Sequence, residues 1–200
     1  MLDILQTFYN QLLQTTLTEW IATISGFVCV YLAAKQNILN WPISIISVTL
    51  YLVIFYQNKL YGDAALQLYF LGTAVYGWYY WDKVDKSDEK PVTSLSPAGI
   101  LNYIMVIILL TILIGVSLNK FSDSDVPYID AFCTSMSLVA QYQMTRKILQ
   151  NWILWIIVDF CYIPLYLHKN LILTAILYIA FAVIAFKGYL DWRKSFKNFN

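Results

Sequence analysis

NWPISIISVTLYLVIFYQNKLYGDAALQLYFLGTAVYGWYYW, residues 40–81, lies without a gap over NWILWIIVDFCYIPLYLHKNLILTAILYIAFAVIAFKGYLDW, residues 151–192, at an offset of 111. Twelve of the 42 positions are identical, among them Asn40 with Asn151, Trp41 with Trp152, Tyr51 with Tyr162, Gly77 with Gly188 and Trp81 with Trp192. Apolar bias inflates chance identity, but polar, glycine and tryptophan marks held in one register point to an internal repeat. The same offset pairs Thr23, Val28 and Tyr31 with Thr134, Val139 and Tyr142, which carries the match upstream.

The repeat is built from apolar runs. Of 200 residues, 60% are hydrophobic and 12% charged, and the charges lie mostly between the runs rather than along amphipathic faces. That is the composition of an integral membrane protein. Seven segments stand out, about 17–34, 41–56, 63–81, 98–118, 128–145, 152–167 and 171–190. Several are near the lower length limit for a helix crossing a hydrocarbon core of roughly 30 Å, so flanking Trp, Asn and Lys are expected in the interface. Three spans reverse the chain's side, and a fourth must bring it back before a second unit can begin in the same orientation. The expected fold is therefore an all-α membrane protein of seven transmembrane helices in a 3+1+3 parallel pseudo-repeat. Residues 17–81 and 128–192 are the repeats, 98–118 is the linker helix, and residues 1–200 form one membrane domain.

Lysines and arginines divide unevenly between the two sides. Lys35, Lys83, Lys86, Lys90, Arg146, Lys147, Lys187, Arg193, Lys194 and Lys197 fall on one side, and only Lys59, Lys120 and Lys169 on the other. The positive-inside rule places the N-terminus outside and the C-terminus in the cytoplasm. The first sixteen residues lack the basic start and long apolar run of a signal peptide and are expected to be retained. Within them Leu5, Phe8, Tyr9, Leu12 and Leu13 recur at helical spacing, which fits a short helix on the membrane surface. Segment 82–97 is the one polar linker, with Pro91 and Pro97 at its end.

One acid stands inside an apolar run. In Trp152-Ile-Leu-Trp155-Ile-Ile-Val-Asp159-Phe-Cys-Tyr162-Ile-Pro-Leu-Tyr166, the residues Trp152, Trp155, Asp159, Tyr162 and Tyr166 follow a 3-4-3-4 spacing and share a helix face. A carboxylate at the centre of a membrane helix costs about 2.5 to 3.5 kcal/mol on insertion scales, so such residues face a bundle interior or a substrate path. An acid in an aromatic cleft suggests a cation site. The competing reading is an Asp that is protonated or bonded to a neighbouring helix. In the first copy Ser44 and Val48 stand where the second has Trp155 and Asp159, as if the two copies shape a single off-axis cavity between them.

Other polar residues join the candidates. Asp63 and Gln67 lie one turn apart on the third span; Gln67 offers an amide to a ligand, while Asp63 is read as a helix cap. On the fifth span Thr134 and Ser137 read as packing hydroxyls and Gln141 as a ligand contact. Asn151 and, from the first copy, Trp41 and Tyr51 complete the substrate-binding set with Trp152, Trp155, Asp159, Tyr162, Gln67 and Gln141. Arg146 and Lys147 read as positive-inside anchors. Pro42 marks a helix start, and Pro164 frees a carbonyl that bends the sixth span beside the cavity.

Several chemistries find no support. Cys29, Cys133 and Cys161 lie in apolar runs without CxxC pairing, and the single histidine, His168, sits at a segment end, so no metal or disulfide is expected. No phosphate loop, H-E-x-x-H or G-x-S-x-G occurs, and no basic cluster interleaved with aromatics suggests nucleic acid. Neither an enzyme nor a cofactor is expected. No second central acid or histidine completes a proton relay with Asp159.

Asn151-Trp152-Ile-Leu-Trp155, preceded by Met144-Thr-Arg-Lys147, together with Phe55-Tyr-Gln57, Leu60-Tyr61, Leu66-Gln67 and Tyr76-Gly77-Trp78, resembles the Pnu family of bacterial vitamin transporters. The likeness runs over roughly residues 19 to 194. It implies a SWEET-like 3+1+3 fold in the bacterial inner membrane, facilitated diffusion, and trapping of the substrate by a cytoplasmic vitamin kinase. It also implies that the W-x-x-W helix, with Trp152 and Trp155, meets the vitamin. The nicotinamide riboside branch often has asparagine where this chain has Asp159. Nicotinamide riboside is the first substrate expected and thiamine the second, since both carry a ring cation that suits aromatic faces through attraction of roughly 0.5 to 2 kcal/mol. The other class of function left open is a membrane-bound sensor or structural subunit that binds without transport.

Overall fold

The computed structural model describes residues 9, 16–57, 61–85, 92–122, 126–168 and 172–198. Seven helices occupy them: α1 (Leu17–Ala34), α2 (Asn40–Gln57), α3 (Tyr61–Asp85), α4 (Pro97–Phe121), α5 (Pro127–Thr145), α6 (Asn151–His168) and α7 (Ile172–Asn198). Each covers one of the expected segments, α7 from Ile172 onward. α3 and α7 run past them, because Asp82, Lys83, Arg193 and Lys194 extend the helices without having to enter an apolar layer. Among the described residues four helices are long and apolar enough to cross a membrane: α1, α2, α4 and Ala175–Asn198 of α7. The expected surface helix before Thr16 lies outside the described residues, apart from Tyr9, which is helical and exposed.

The helix ends follow from local chemistry. Thr16 and Glu19 form a reciprocal capping box that starts α1. Ser96 accepts a hydrogen bond from the Gly99 N–H, and Pro97 follows at the first helical position of α4, where its missing donor costs nothing. α1 and α5 both stop at turns in which a non-glycine residue takes the left-handed conformation, Gln36 at φ 55° and Lys147 at φ 52°. Each such residue costs roughly 1 to 2 kcal/mol, and the helix-ending bonds offset it. Those bonds match at the 111-residue offset: Gln36 N–H to Ala33 O with Lys147 N–H to Met144 O, and Asn37 N–H to Leu32 O with Ile148 N–H to Gln143 O. Asn40 and Asn151, which open α2 and α6, turn their side-chain amides back to Asn37 O and Ile148 O.

Packing repeats at the same offset. α1 packs on α2 and α2 on α3; α5 packs on α6 and α6 on α7. Two further contacts join these blocks, α1 with α7 and α3 with α5. α4 packs on α5 alone, and Leu101, Ile104, Ile108 and Leu113 on its outer face are exposed as lipid-facing residues are. The deepest core lies where α1 and α5 end. There Trp41, Trp81, Trp152 and Trp192 are all at most 1% exposed. Trp41 meets Trp81 edge-on at 5.2 Å, Trp152 meets Trp192 edge-on at 5.5 Å, and Trp81 and Trp192 join the two pairs at 5.9 Å. Two glycines admit the outer rings. A Cβ on Gly188 would stand 2.8 Å from the Trp152 ring, and one on Gly77 would collide with Trp41.

Candidate functional site

Asp159 occupies the middle of α6 and is 5% exposed. Among the described residues no hydrogen bond or ion pair reaches its carboxylate. Burying an acid so is unfavourable unless a partner arrives or the proton stays on. One turn earlier on α6, Trp155 is half-buried, and its ring lies 6.4 Å from that of Phe70 on α3. Nearly one turn beyond Asp159, Tyr162 packs against the buried cluster that Val158 forms with Met136, Val139 and Ile107, with its ring 5.1 Å from Tyr178 on α7. Trp155, Asp159 and Tyr162 thus form a ladder on the inner side of α6, with α3 facing its first rung and α7 its last.

Gln67 on α3 and Gln141 on α5 are half-buried, and neither side chain has a hydrogen-bond partner among the described residues. Their amides are available to a polar ligand. Tyr51, at the position matching Tyr162, shares a 2.8 Å hydrogen bond with Thr23 and stacks on Phe55. In the first block Ser44 and Val48 are buried, and Ser47 bonds the Ala22 carbonyl. The matched positions are therefore small and neutral where α6 is large and acidic. The side chain of Asp63, expected as a cap, lies outside the described residues, as do those of Tyr166 and His168.

The structure separates the candidates into two levels. Trp155, Asp159 and Tyr162 stand along the middle of α6, whereas Trp152, Asn151 and Trp41 lie in the tryptophan core at the helix starts. A shared helix face does not give a shared neighbourhood, because Trp152 sits level with the ends of α3 and α7, where Gly188 and Trp192 enclose it. Among the described residues, Nε1 of Trp41, Nε1 of Trp152 and Oδ1 of Asn151 are buried there without a partner.

Lys147 was expected as a positive-inside anchor, and the structure shows it 2% exposed, with its ammonium 4.6 Å from the centre of the Trp81 ring. The left-handed turn aims it inward, and the aromatic face replaces part of its hydration. Its neighbour Arg146 donates to the Tyr76 hydroxyl at 2.7 Å and covers the Tyr80 ring at 4.4 Å, and the bond to Tyr76 holds the guanidinium further above its ordinary range. Phe70 was not singled out in the sequence either, since a lone phenylalanine in an apolar helix carries no mark until its partner helix is known.

An unpaired acid thus stands beside aromatic rings inside a bundle of apolar helices, and the comparisons with known proteins make the chain a multi-pass membrane transporter rather than an enzyme. The chain belongs to the nicotinamide mononucleotide transporter family, whose pattern matches residues 16–194. It is similar to the nicotinamide riboside transporter PnuC of Escherichia coli, with 26% identity over 88% of this chain and 85% of the relative. The riboflavin/roseoflavin transporter RibM of Streptomyces davaonensis is 23% identical over 88% of this chain and 84% of its own length. The fold is that of the crystal structure of the vitamin B3 transporter PnuC, with a TM-score of 0.75 over 98% of this chain and 91% of that one, at 24% identity.

Proposed function

We propose that this chain carries a cationic vitamin, nicotinamide riboside first, across the bacterial inner membrane by facilitated diffusion. The observation behind the proposal is the buried, unpaired carboxylate of Asp159 beside Trp155 and Tyr162. A ring cation supplies the partner that the acid lacks, and the aromatic faces add cation–π attraction of roughly 0.5 to 2 kcal/mol. Gln67 and Gln141 are assigned to the polar groups of the cargo. Trp152, Asn151, Trp41 and Tyr51 complete the path on either side. The relatives named above carry nicotinamide riboside or riboflavin, so thiamine, the second substrate expected, gains nothing from them.

We read the architecture as a 3+1+3 parallel pseudo-repeat with α4 as the linker, the N-terminus outside and the C-terminus in the cytoplasm. Matching turns, glycines and tryptophan contacts at one offset support the repeat, and the excess of lysine and arginine at the tryptophan end supports the orientation. Trapping by a cytoplasmic kinase then makes net uptake one-way. Vesicles containing only this protein test the reading: labelled nicotinamide riboside should equilibrate across them. Saturable binding without flux would instead make the chain a sensor.

A further inference from the structure

Two seams join the block α1–α3 to the block α5–α7, and they are fastened unequally. Along the α1–α7 seam, Phe27 stacks on Phe181 at 4.6 Å, Trp192 donates its indole N–H to Ala33 O at 3.1 Å, and the exposed Lys35 pairs with Asp191 at 2.8 Å. Along the α3–α5 seam, the Tyr69 hydroxyl donates to Leu138 O at 2.9 Å and Trp81 donates to Met144 O at 3.3 Å. To these are added Arg146 on Tyr76 and Tyr80, and Lys147 on Trp81.

Among the described residues the α3–α5 seam alone carries a strap. Thr93 pairs in parallel with Ile148, its N–H donating to Lys147 O at 3.0 Å and its carbonyl accepting from the Leu149 N–H at 2.9 Å. Gln150 clamps the same segment, accepting from the Leu95 N–H at 3.1 Å and donating to the Ser94 hydroxyl at 2.8 Å, while Val92 plugs the core at 1% exposure. The chain then enters α4, which packs on α5. Among the described residues the matching turn at 36–38 bonds only to its own neighbours between Leu32 and Trp41. An exposed ion pair is screened and weak, and apolar stacking between helices is readily exchanged for lipid contact. Each seam has one buried tryptophan bond. More hydrogen bonds must break to part the α3–α5 seam and its strap, where the backbone pair of Thr93, the Gln150 clamp, Tyr69 and Arg146 add to it, than to part the α1–α7 seam, where among the described residues only the Lys35–Asp191 pair does.

We propose that the bundle opens at its tryptophan end by parting α1 from α7, with the α3–α5 seam and its strap as the hinge. This rests on the reading of the chain as a transporter that exposes its site to alternate sides. Ala33 and Met144 are matched probes, since each accepts a tryptophan N–H at its seam and the two are 4% and 6% exposed. Ala33→Cys and Met144→Cys are made singly in protein whose Cys29, Cys133 and Cys161 are replaced by alanine, and are labelled with a membrane-impermeant maleimide. The thiol introduced at 33 should react at least about tenfold faster, as its seam opens and the other does not. Equal rates, or the reverse order, overturn the proposal. A second measurement uses a short bifunctional thiosulfonate. Joining Lys35→Cys to Asp191→Cys should stop uptake of nicotinamide riboside into vesicles, whereas joining Tyr76→Cys to Arg146→Cys should leave it within about twofold. Both blocks, or neither, would also refute it. Absence of uptake before cross-linking is a failure of the transport reading, and the labelling ratio, which needs no flux, still decides the hinge.

Discussion

The face of the Trp152 ring lies against Gly188 so closely that a Cβ there would stand 2.8 Å from the indole. Gly188→Ala must therefore move the tryptophan or part α6 from α7. Overpacking of this kind costs roughly 1 to 3 kcal/mol. Thermal unfolding in detergent should record that loss, and Gly77→Ala should behave alike through Trp41. Gly72→Ala is the control: its Cβ would meet nothing within 4 Å, so it should be neutral or slightly stabilising.

Trp155→Ala should weaken vitamin binding by at least about 1 kcal/mol through lost stacking and cation–π contact, without unfolding the protein. Calorimetry on purified protein decides. Unchanged affinity would assign Trp155 to packing against Phe70.

Asp159→Asn keeps much of the side chain's shape and removes its charge. Affinity for nicotinamide riboside should fall more than affinity for an uncharged isostere. Stability should stay equal or rise, because a buried charge no longer needs a partner. Lower stability with unchanged charge selectivity would mean that the acid serves the architecture.

Vesicle uptake should reach equilibrium with neither ATP nor an ion gradient. Accumulation against the vitamin gradient, driven by imposed pH or Na⁺ differences, would contradict facilitated diffusion.

Much of the architecture was legible because helices in lipid announce themselves by length and apolarity. Marks such as Trp81 and Trp192 showed which positions correspond, and both proved to be hydrogen-bonded across a seam. The acid of the ladder was legible too, since Asp159 interrupts an otherwise apolar run. Periodicity failed at the level above the single helix. It put Trp152 on one face with Trp155, but the neighbour that each ring meets depends on the heights at which α3 and α7 end. The burial of Lys147 was not legible for a related reason: a basic residue in a loop is ordinarily solvated, and only the strap and the left-handed turn make it a buried one. The strap itself lies in a polar linker whose composition gives no sign of pairing with a turn some fifty residues later.

The bond from Trp192 to Ala33 spans 159 residues of chain. At roughly 5 to 20 residues per second, the ribosome delivers its donor about 10 to 30 s after its acceptor. Until then α1 has no α7 beside it, and the nascent protein sits in the bilayer as an unclosed ring of helices. The seam where we place the opening is thus the one that closes only when α7 arrives, and an insertion factor guarding that edge would be needed only until then.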